Sequence, residues 1–300
     1  MNKPEIWVDG KFVGWERATV HVLSHSLQRG STVFESLSCE QTARGPAIFR
    51  LDAHVDRFLE SARLTKMHVP FSRGELIEAT KETVRRSGCT RCCIRPLAYY
   101  VGEELEVVPK QSAVQVIIAV APPIDARDKF RVKVSSVKKL HPDTVPVAAK
   151  VAANYLSGML AKREALDDGF DEAILLDCGG NVAEGPTESL FIVKHGAIKT
   201  VPLGTVLAGI TRDSVMQIAT DIGYRVTETN ISVAELYDAD EIFVAGTGAG
   251  VVPVVQLDDR EIGRGQPGEI ALRLRAAYSD AVTGNNAKYD GWLTYVKEAN

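Results

Sequence analysis

Two adjacent prolines, Pro122 and Pro123, followed by Ile124-Asp-Ala-Arg-Asp-Lys129, interrupt the chain near its middle. Neither proline can donate a ladder hydrogen bond, and each drives the residue before it out of the α region. No continuous helix or central strand runs through such a point, and the charges that follow suit solvent. The break predicts an interdomain linker over 121–129. It leaves a small N-terminal α/β domain over 1–120 and a larger C-terminal α/β domain over 130–300.

Hydrophobic periodicity fills in both halves. Ile6-Trp-Val and Lys11-Phe-Val flank Asp9-Gly10, a hairpin turn signal. Val55, Phe58, Leu59 and Ala62 recur at helical spacing after a short strand at 47–49, and 74–86 reads as a second helix. Strands are expected at 92–101, 113–120, 130–137, 172–176, 190–194 and 240–245. Helices are expected at 155–166, around Val215, Ile218, Ala219 and Ile222, and at 269–282.

Composition excludes several classes. The 300 residues are 45% hydrophobic and 25% charged, with a formal net charge of -4. A nucleic-acid partner would favour a basic chain. The first ten residues hold no apolar run of signal-peptide length, and the apolar stretch 114–123 is too short to span a bilayer. A cytoplasmic enzyme, without nucleic-acid or membrane partners, is expected. Five cysteines, an odd number, argue for reduced thiols. Cys89-Thr-Arg-Cys92 has the spacing of half a zinc site, but no second pair stands at a matching distance. Cys92 and Cys93 read better as buried strand residues, and no metal is expected.

Four segments carry possible chemistry. Lys150 is the one charged residue in the apolar run 145–153. Desolvation disfavours an ammonium and frees the amine as a nucleophile; on local composition alone, a lysine snorkelling from a strand end is the better fit. Glu184 sits between a glycine-rich turn and an apolar strand, either as a ring-nitrogen partner or as an exposed loop glutamate. Gly209-Ile210-Thr211 opens a helix, where backbone N–H groups favour an anion, or where Thr211 serves as an N-cap. Gly246-Thr-Gly-Ala-Gly250 lacks both the spacing and the following helix of a dinucleotide fingerprint, and fits an anion-binding turn better.

Taken in order, the motifs resemble the class IV aminotransferases, the pyridoxal-phosphate (PLP) fold-type IV group, and within it the branched-chain branch. They are Val20-His-Val-Leu-Ser-His-Ser-Leu27, Phe34-Glu35, Phe49-Arg50, His54-Val-Asp-Arg57 and Ile94-Arg-Pro-Leu97. Further on come Pro146-Val-Ala-Ala-Lys150-Val-Ala-Ala-Asn154-Tyr155, Glu184-Gly, Glu188-Ser-Leu-Phe, Gly209-Ile-Thr-Arg-Asp213 and Gly246-Thr247. The resemblance implies a two-domain α/β fold like that of the D-amino-acid aminotransferases, and a transaminase moving an amino group between a hydrophobic amino acid and 2-oxoglutarate. It implies that Lys150 carries pyridoxal 5'-phosphate as a Schiff base and shuttles the α-proton. Glu184 would pair with the pyridine nitrogen, Tyr155 with the phenolic oxygen, and Arg57, Ile210, Thr211 and Thr247 with the phosphate. Phe34, Arg95, Gly248 and Arg29 are the expected substrate-side residues. Homodimers or higher oligomers are the family habit.

The chain departs from the branched-chain pattern on the substrate side. Arg29 and Cys93 stand where that branch usually has tyrosine, Ser36 where it has glycine, and Ser38 where it has a basic residue. Glu103-Glu-Leu-Glu-Val-Val-Pro109 replaces a glycine-rich loop. The Arg-x-His pair of the D-amino-acid branch is absent from that loop. Arg29 is a candidate relocated carboxylate anchor, or simply a solvated side chain. The alternatives are an (R)-amine or D-amino-acid transaminase, a PLP lyase of the aminodeoxychorismate type, and a degenerate member that only binds.

Overall fold

The computed structural model describes residues 3–110, 113–124 and 127–297. Of the expected linker 121–129, residues 125–126 lie outside the described residues. Packing divides the chain into two units. The first comprises Met1–Ile124, Ala149–Ala153 and Ala281–Asn300, and the second Asp125–Ala148 and Asn154–Asp280. The expected boundaries treat each domain as one continuous stretch; the packing assigns two later segments to the N-terminal unit.

In the first unit, β1 (Ile6–Val8) and β2 (Lys11–Val13) pair around Asp9 and Gly10, whose φ angles are 46° and 86°. Two left-handed residues are what a tight turn matching strand twist requires. There follow α1 (His25–Arg29), β3 (Val33–Phe34), β4 (Leu37–Thr42), β5 (Gly45–Phe49), α2 (Leu51–Leu64), α3 (Arg73–Ser87), β6 (Cys92–Tyr100) and β7 (Val114–Ala121). The sheet is antiparallel, in the order Leu293–Tyr295, β5, β4, β6, β7, β1, β2, with β3 also on β6. Alternate residues of β6 (Cys92, Ile94, Ala98) join Leu37, Cys39 and Ile118 in one core with Val55, Phe58 and Ala62 of α2 and Leu76 and Val84 of α3. The helical stripe read from the sequence is thus the buried one. Each large side chain so enclosed contributes about 1.5–3 kcal/mol.

Pro96 sits in the middle of β6, between β4 and β7, where a missing N–H is costly. The partner strand breaks opposite it. β3 pairs with Leu97 and Ala98, and β4 with residues 92–94. Glu35 and Ser36 span the gap, and Glu35 N–H donates to Pro96 O at 2.9 Å. Side-chain alternation puts Val33, Glu35, Leu37 and Cys39 on the core face and Phe34, Ser36 and Ser38 on the other. A carboxylate is therefore built into the core face at the break.

The second unit holds β8 (Phe130–Val134), α4 (Leu156–Asp167), β9 (Glu172–Ile174), β10 (Ser189–Lys194), β11 (Ala197–Thr200), α5 (Ile210–Asp221), β12 (Val226–Glu228), α6 (Val233–Tyr237), β13 (Glu241–Gly246), β14 (Gly250–Leu257) and most of α7 (Glu269–Val282). The sheet order is β12, β11, β10, β13, β14, β8, β9. β8 runs parallel to β9 and β14, and β11 to β12; the other pairs are antiparallel. Both faces of β10 are covered. Leu190 and Ile192 enter one core cluster, while Phe191 stacks on its cross-strand partner Phe243 with centroids 4.8 Å apart. That explains the unbroken apolar run in the sequence. The strand expected over 130–137 stops at Val134, because Ser135 and Ser136 turn their hydroxyls to Glu164. Among the described residues no helix is long and apolar enough to cross a membrane.

Candidate active site

The segment Ala149–Ala153 belongs to the first unit although the chain on both sides of it belongs to the second. It lies along β3. Val151 bridges Val33, Phe34 N–H donates to Lys150 O at 3.0 Å, and Ala152 N–H donates to Thr32 O at 2.8 Å. Lys150 N–H donates to Ser61 Oγ of α2 at 2.9 Å. The backbone of Lys150 is thereby held on both its N–H and its C=O. Its Nζ stands 4.8 Å from the centroid of the Phe34 ring, and the Arg95 guanidinium lies 5.4 Å from the same centroid. A cation over a ring face is attracted by the ring quadrupole. Phe34 thus lines up an amine and a guanidinium on one patch.

Behind that patch is a buried charge cluster. Glu35 is 0% exposed. Arg57 donates to it through Nε (2.6 Å, to Oε1) and Nη2 (2.8 Å, to Oε2), the bidentate fork that suits carboxylates. His54, one helical turn earlier on the same face of α2, places Nδ1 2.7 Å from Oε2. Burial pushes the Glu35 carboxyl up, but Arg57 and His54 outweigh it and hold it well below the ordinary carboxylate range. Burial pushes His54 down, more than Glu35 raises it. The consistent state is ionised Glu35 facing cationic Arg57, with neutral His54 donating its Nδ1–H.

Other positions on the substrate-side pattern also find their places in the first unit. Ser36 Oγ is 3.4 Å from Cys93 Sγ, and Ser38 registers opposite Cys93. Small polar groups therefore line the sheet face that carries Phe34 and Arg95. Arg29 is not simply solvated: its Nη2 donates to Leu105 O at 2.7 Å, tying α1 to the 103–109 loop. Cys92 and Cys93 are buried strand residues, as expected.

In the second unit, Glu184 is 7% exposed and so is no free loop glutamate. Lys139 Nζ lies 2.5 Å from its Oε1. The Glu184 backbone C=O accepts from Leu175 N–H, and Lys139 N–H donates to Leu176 O, so one stretch of chain anchors both. Tyr155 closes the 3-10 turn Ala152–Tyr155 and caps α4.

The second unit also holds an anion cradle. The N-cap of α5 is Gly209, in extended conformation and without a side-chain cap. Thr211 is therefore not the cap; it is the second residue of the helix, and its hydroxyl points elsewhere. That hydroxyl lies 3.5 Å from Thr247 Oγ1, in the turn between β13 and β14 that also contains Gly248. A Cβ on Gly209 would come within 2.8 Å of Ser189 Oγ and 3.1 Å of Arg212 Cβ, so any larger residue would force a shift there. Arg212 fixes the first turn from behind, donating to Val201 O and Glu228 Oε2 at 2.7 and 2.6 Å. Outward amides at Ile210 and Thr211, with two hydroxyls beside them, suit a phosphoryl group.

The amino-transferase class IV family model matches residues 32–257. The chain belongs to that family. The branched-chain-amino-acid aminotransferase of Pseudomonas aeruginosa is 39% identical over 298 residues, covering 97% of each chain. That of Escherichia coli K12 is 37% identical over 301 residues, covering 98% of this chain and 97% of its own. Among solved structures, the branched-chain aminotransferase from the thermophilic archaeon Thermoproteus uzoniensis, with norvaline, superimposes with a TM-score of 0.95 at 37% identity. The match covers 98% of this chain and 100% of that one. The branched-chain amino acid aminotransferase of Thermobaculum terrenum in its PLP form superimposes with a TM-score of 0.94 at 31% identity, covering 99% of this chain and 100% of its own. The fold is the α/β fold-type IV arrangement expected from the motifs.

Within this class IV aminotransferase, the sequence reading missed Glu35, His54, Ser61 and Lys139 as supporting residues. A signal existed for one pair. His54 and Arg57 stand three apart in an amphipathic helix, so they share a face, and that face is apolar at Val55 and Phe58. A basic pair beside an apolar stripe calls for a buried acid.

Proposed function

We propose that this chain is a PLP-dependent transaminase that moves an amino group between a branched-chain amino acid and 2-oxoglutarate, with Lys150 as its catalytic residue. The observation that carries the reading is the placement of Lys150: the backbone is held at both ends and the amine is directed over Phe34. The donor groups fit the cofactor. An amine suits the aldehyde, a buried carboxylate suits the pyridine nitrogen, and the α5 cradle suits the phosphate. When bound, pyridoxal 5'-phosphate supplies an aldehyde that condenses with amines and a ring that accepts the electron pair left at the substrate α-carbon.

The protein residues then have distinct tasks. Lys150 Nζ would be the amine that holds the cofactor's aldehyde carbon. The same Nζ, when free, would be the base that takes and returns the proton of the substrate α-carbon. Glu184, held in place by Lys139 at Oε1, accepts a hydrogen bond from a protonated ring nitrogen and so favours electron withdrawal. Tyr155 donates to the phenolic oxygen. The amides of Ile210 and Thr211, with the Thr211 and Thr247 hydroxyls, bind the phosphate, and Arg57 adds a cation. On the substrate side, Phe34, Arg95, Gly248 and Arg29 are the candidate contacts.

A donor panel tests the substrate assignment. With 2-oxoglutarate as acceptor, L-leucine and L-valine yield glutamate faster than D-alanine or (R)-1-phenylethylamine. Turnover confined to the (R)-amine or the D-amino acid contradicts it. We place the enzyme in the cytoplasm as a homodimer. Exposed Val22, Leu27, Leu105, Val107 and Val108 support the dimer, since they stand on two segments, α1 with the residues before it and the 103–109 loop, that His25 and Arg29 tie together. A monomeric mass in light scattering contradicts it.

A further inference from the structure

We propose that Ser61 is a positioning residue for Lys150, setting the point from which its amine reaches; this rests on the reading of Lys150 above. The geometry is specific. Lys150 lies outside any helix, so its N–H needs an acceptor from elsewhere. Ser61 Oγ provides it at 2.9 Å, from a side chain that is 0% exposed, where no bulk water can substitute. The opposite edge of the residue is fixed by Phe34 N–H on Lys150 O.

The same face of α2 controls both attachments. His54, Arg57 and Ser61 lie at i, i+3 and i+7 of one helix. The first two clamp Glu35, which follows Phe34 directly, and the third holds Lys150 N–H. One rigid helix therefore sets the position of the strand that carries Phe34 and of the lysine over it. Because Ser61 Oγ meets Lys150 at its backbone N–H, its effect passes through the placement of the Lys150 Cα and the torsions of the lysine side chain.

That makes a distinctive expectation. The basicity of the Lys150 nitrogen in the holoenzyme would depend on where the backbone places it relative to the cofactor. A small displacement of a proton-transferring group also costs rate more than substrate binding, up to about 100-fold for ~1 Å. Ser61→Ala should lower kcat by roughly 10- to 100-fold with little change in donor KM. It should also shift the pH midpoint of the holoenzyme's visible absorption band, while PLP still binds. Ser61→Thr, which keeps the acceptor, should restore both. Ser61→Cys keeps the side-chain volume but is a poor acceptor; it should behave like the alanine variant and serves where alanine prevents folding.

The overturning result is a variant without the acceptor whose absorbance midpoint and kcat per bound cofactor are those of the wild type, whatever its melting temperature. Lys150→Ala separates the two readings. If it abolishes the visible band while the Ser61 variants titrate normally, Ser61 has no positioning role and the Lys150 assignment stands. If it leaves the band intact, the Lys150 assignment itself fails.

Discussion

The charge cluster of the first unit and the anion cradle of the second hold their groups by different physics. The first builds with side-chain charge: Glu35, Arg57 and His54 form a desolvated cluster around a gap that Pro96 opens in the sheet. The second builds its cradle mainly from backbone: a helix start capped by glycine, a tight turn, and two hydroxyls 3.5 Å apart. Charge clusters are exacting, because removing one member strands the others in a low-dielectric core. Amide cradles are tolerant, because no single side chain carries them. The Glu35 cluster should therefore be sensitive to mutation and pH where the α5 cradle is not.

The largest effect expected is on Glu35. Glu35→Gln leaves Arg57 buried without its counter-charge and should destabilise the protein by about 3–5 kcal/mol in denaturant titration. A loss below about 1 kcal/mol, the range of an exposed pair, would erase the contrast between the units. The pH response is the next largest. His54 is held neutral in the folded protein below its ordinary value of 6.5, so the unfolded chain takes up the proton first. Stability is then full above pH 6.5 and falls as pH drops below it, by at most about 1.4 kcal/mol per pH unit. Trp7, Trp15 and Trp292 all lie in the first unit, so their fluorescence reads this directly. A melting midpoint that stays level as pH falls from 6.5 to about 5 would remove His54 from the account. The smallest effect belongs to the cradle. Thr247→Val should weaken PLP binding by about 0.5–1.5 kcal/mol, roughly tenfold at most, with melting of the apo protein unchanged. A total loss of cofactor binding would mean that the hydroxyl, not the amides, carries the site.

What could be read in the sequence follows the same division. Repeating features were legible. The buried stripe Val55, Phe58 and Ala62, the apolar run of β10 and the Asp9-Gly10 turn each repeat a local rule, and the structure obeys it. Thr211 is not the cap because the helix starts at Ile210, with Gly209 in the extended conformation before it, and local composition does not fix that start. Pairings between distant residues were not legible. Glu35 meets Arg57 across 22 positions, Ser61 meets Lys150 across 89, and Lys139 reaches Glu184 from a loop far back in the chain. Nothing in the local composition of Lys150 distinguishes a held amine from a snorkelling one. The difference lies in Ser61 and Phe34, which fold onto it from elsewhere.

The central claim is that Lys150 is the lysine that binds the cofactor. Reduction of the holoenzyme with borohydride, followed by proteolysis and mass spectrometry, tests it most directly. The phosphopyridoxyl mass should fall on the peptide containing Lys150 and disappear in Lys150→Ala together with nearly all transamination. A label on another lysine of the wild-type enzyme, or an undiminished label in Lys150→Ala, would contradict the account.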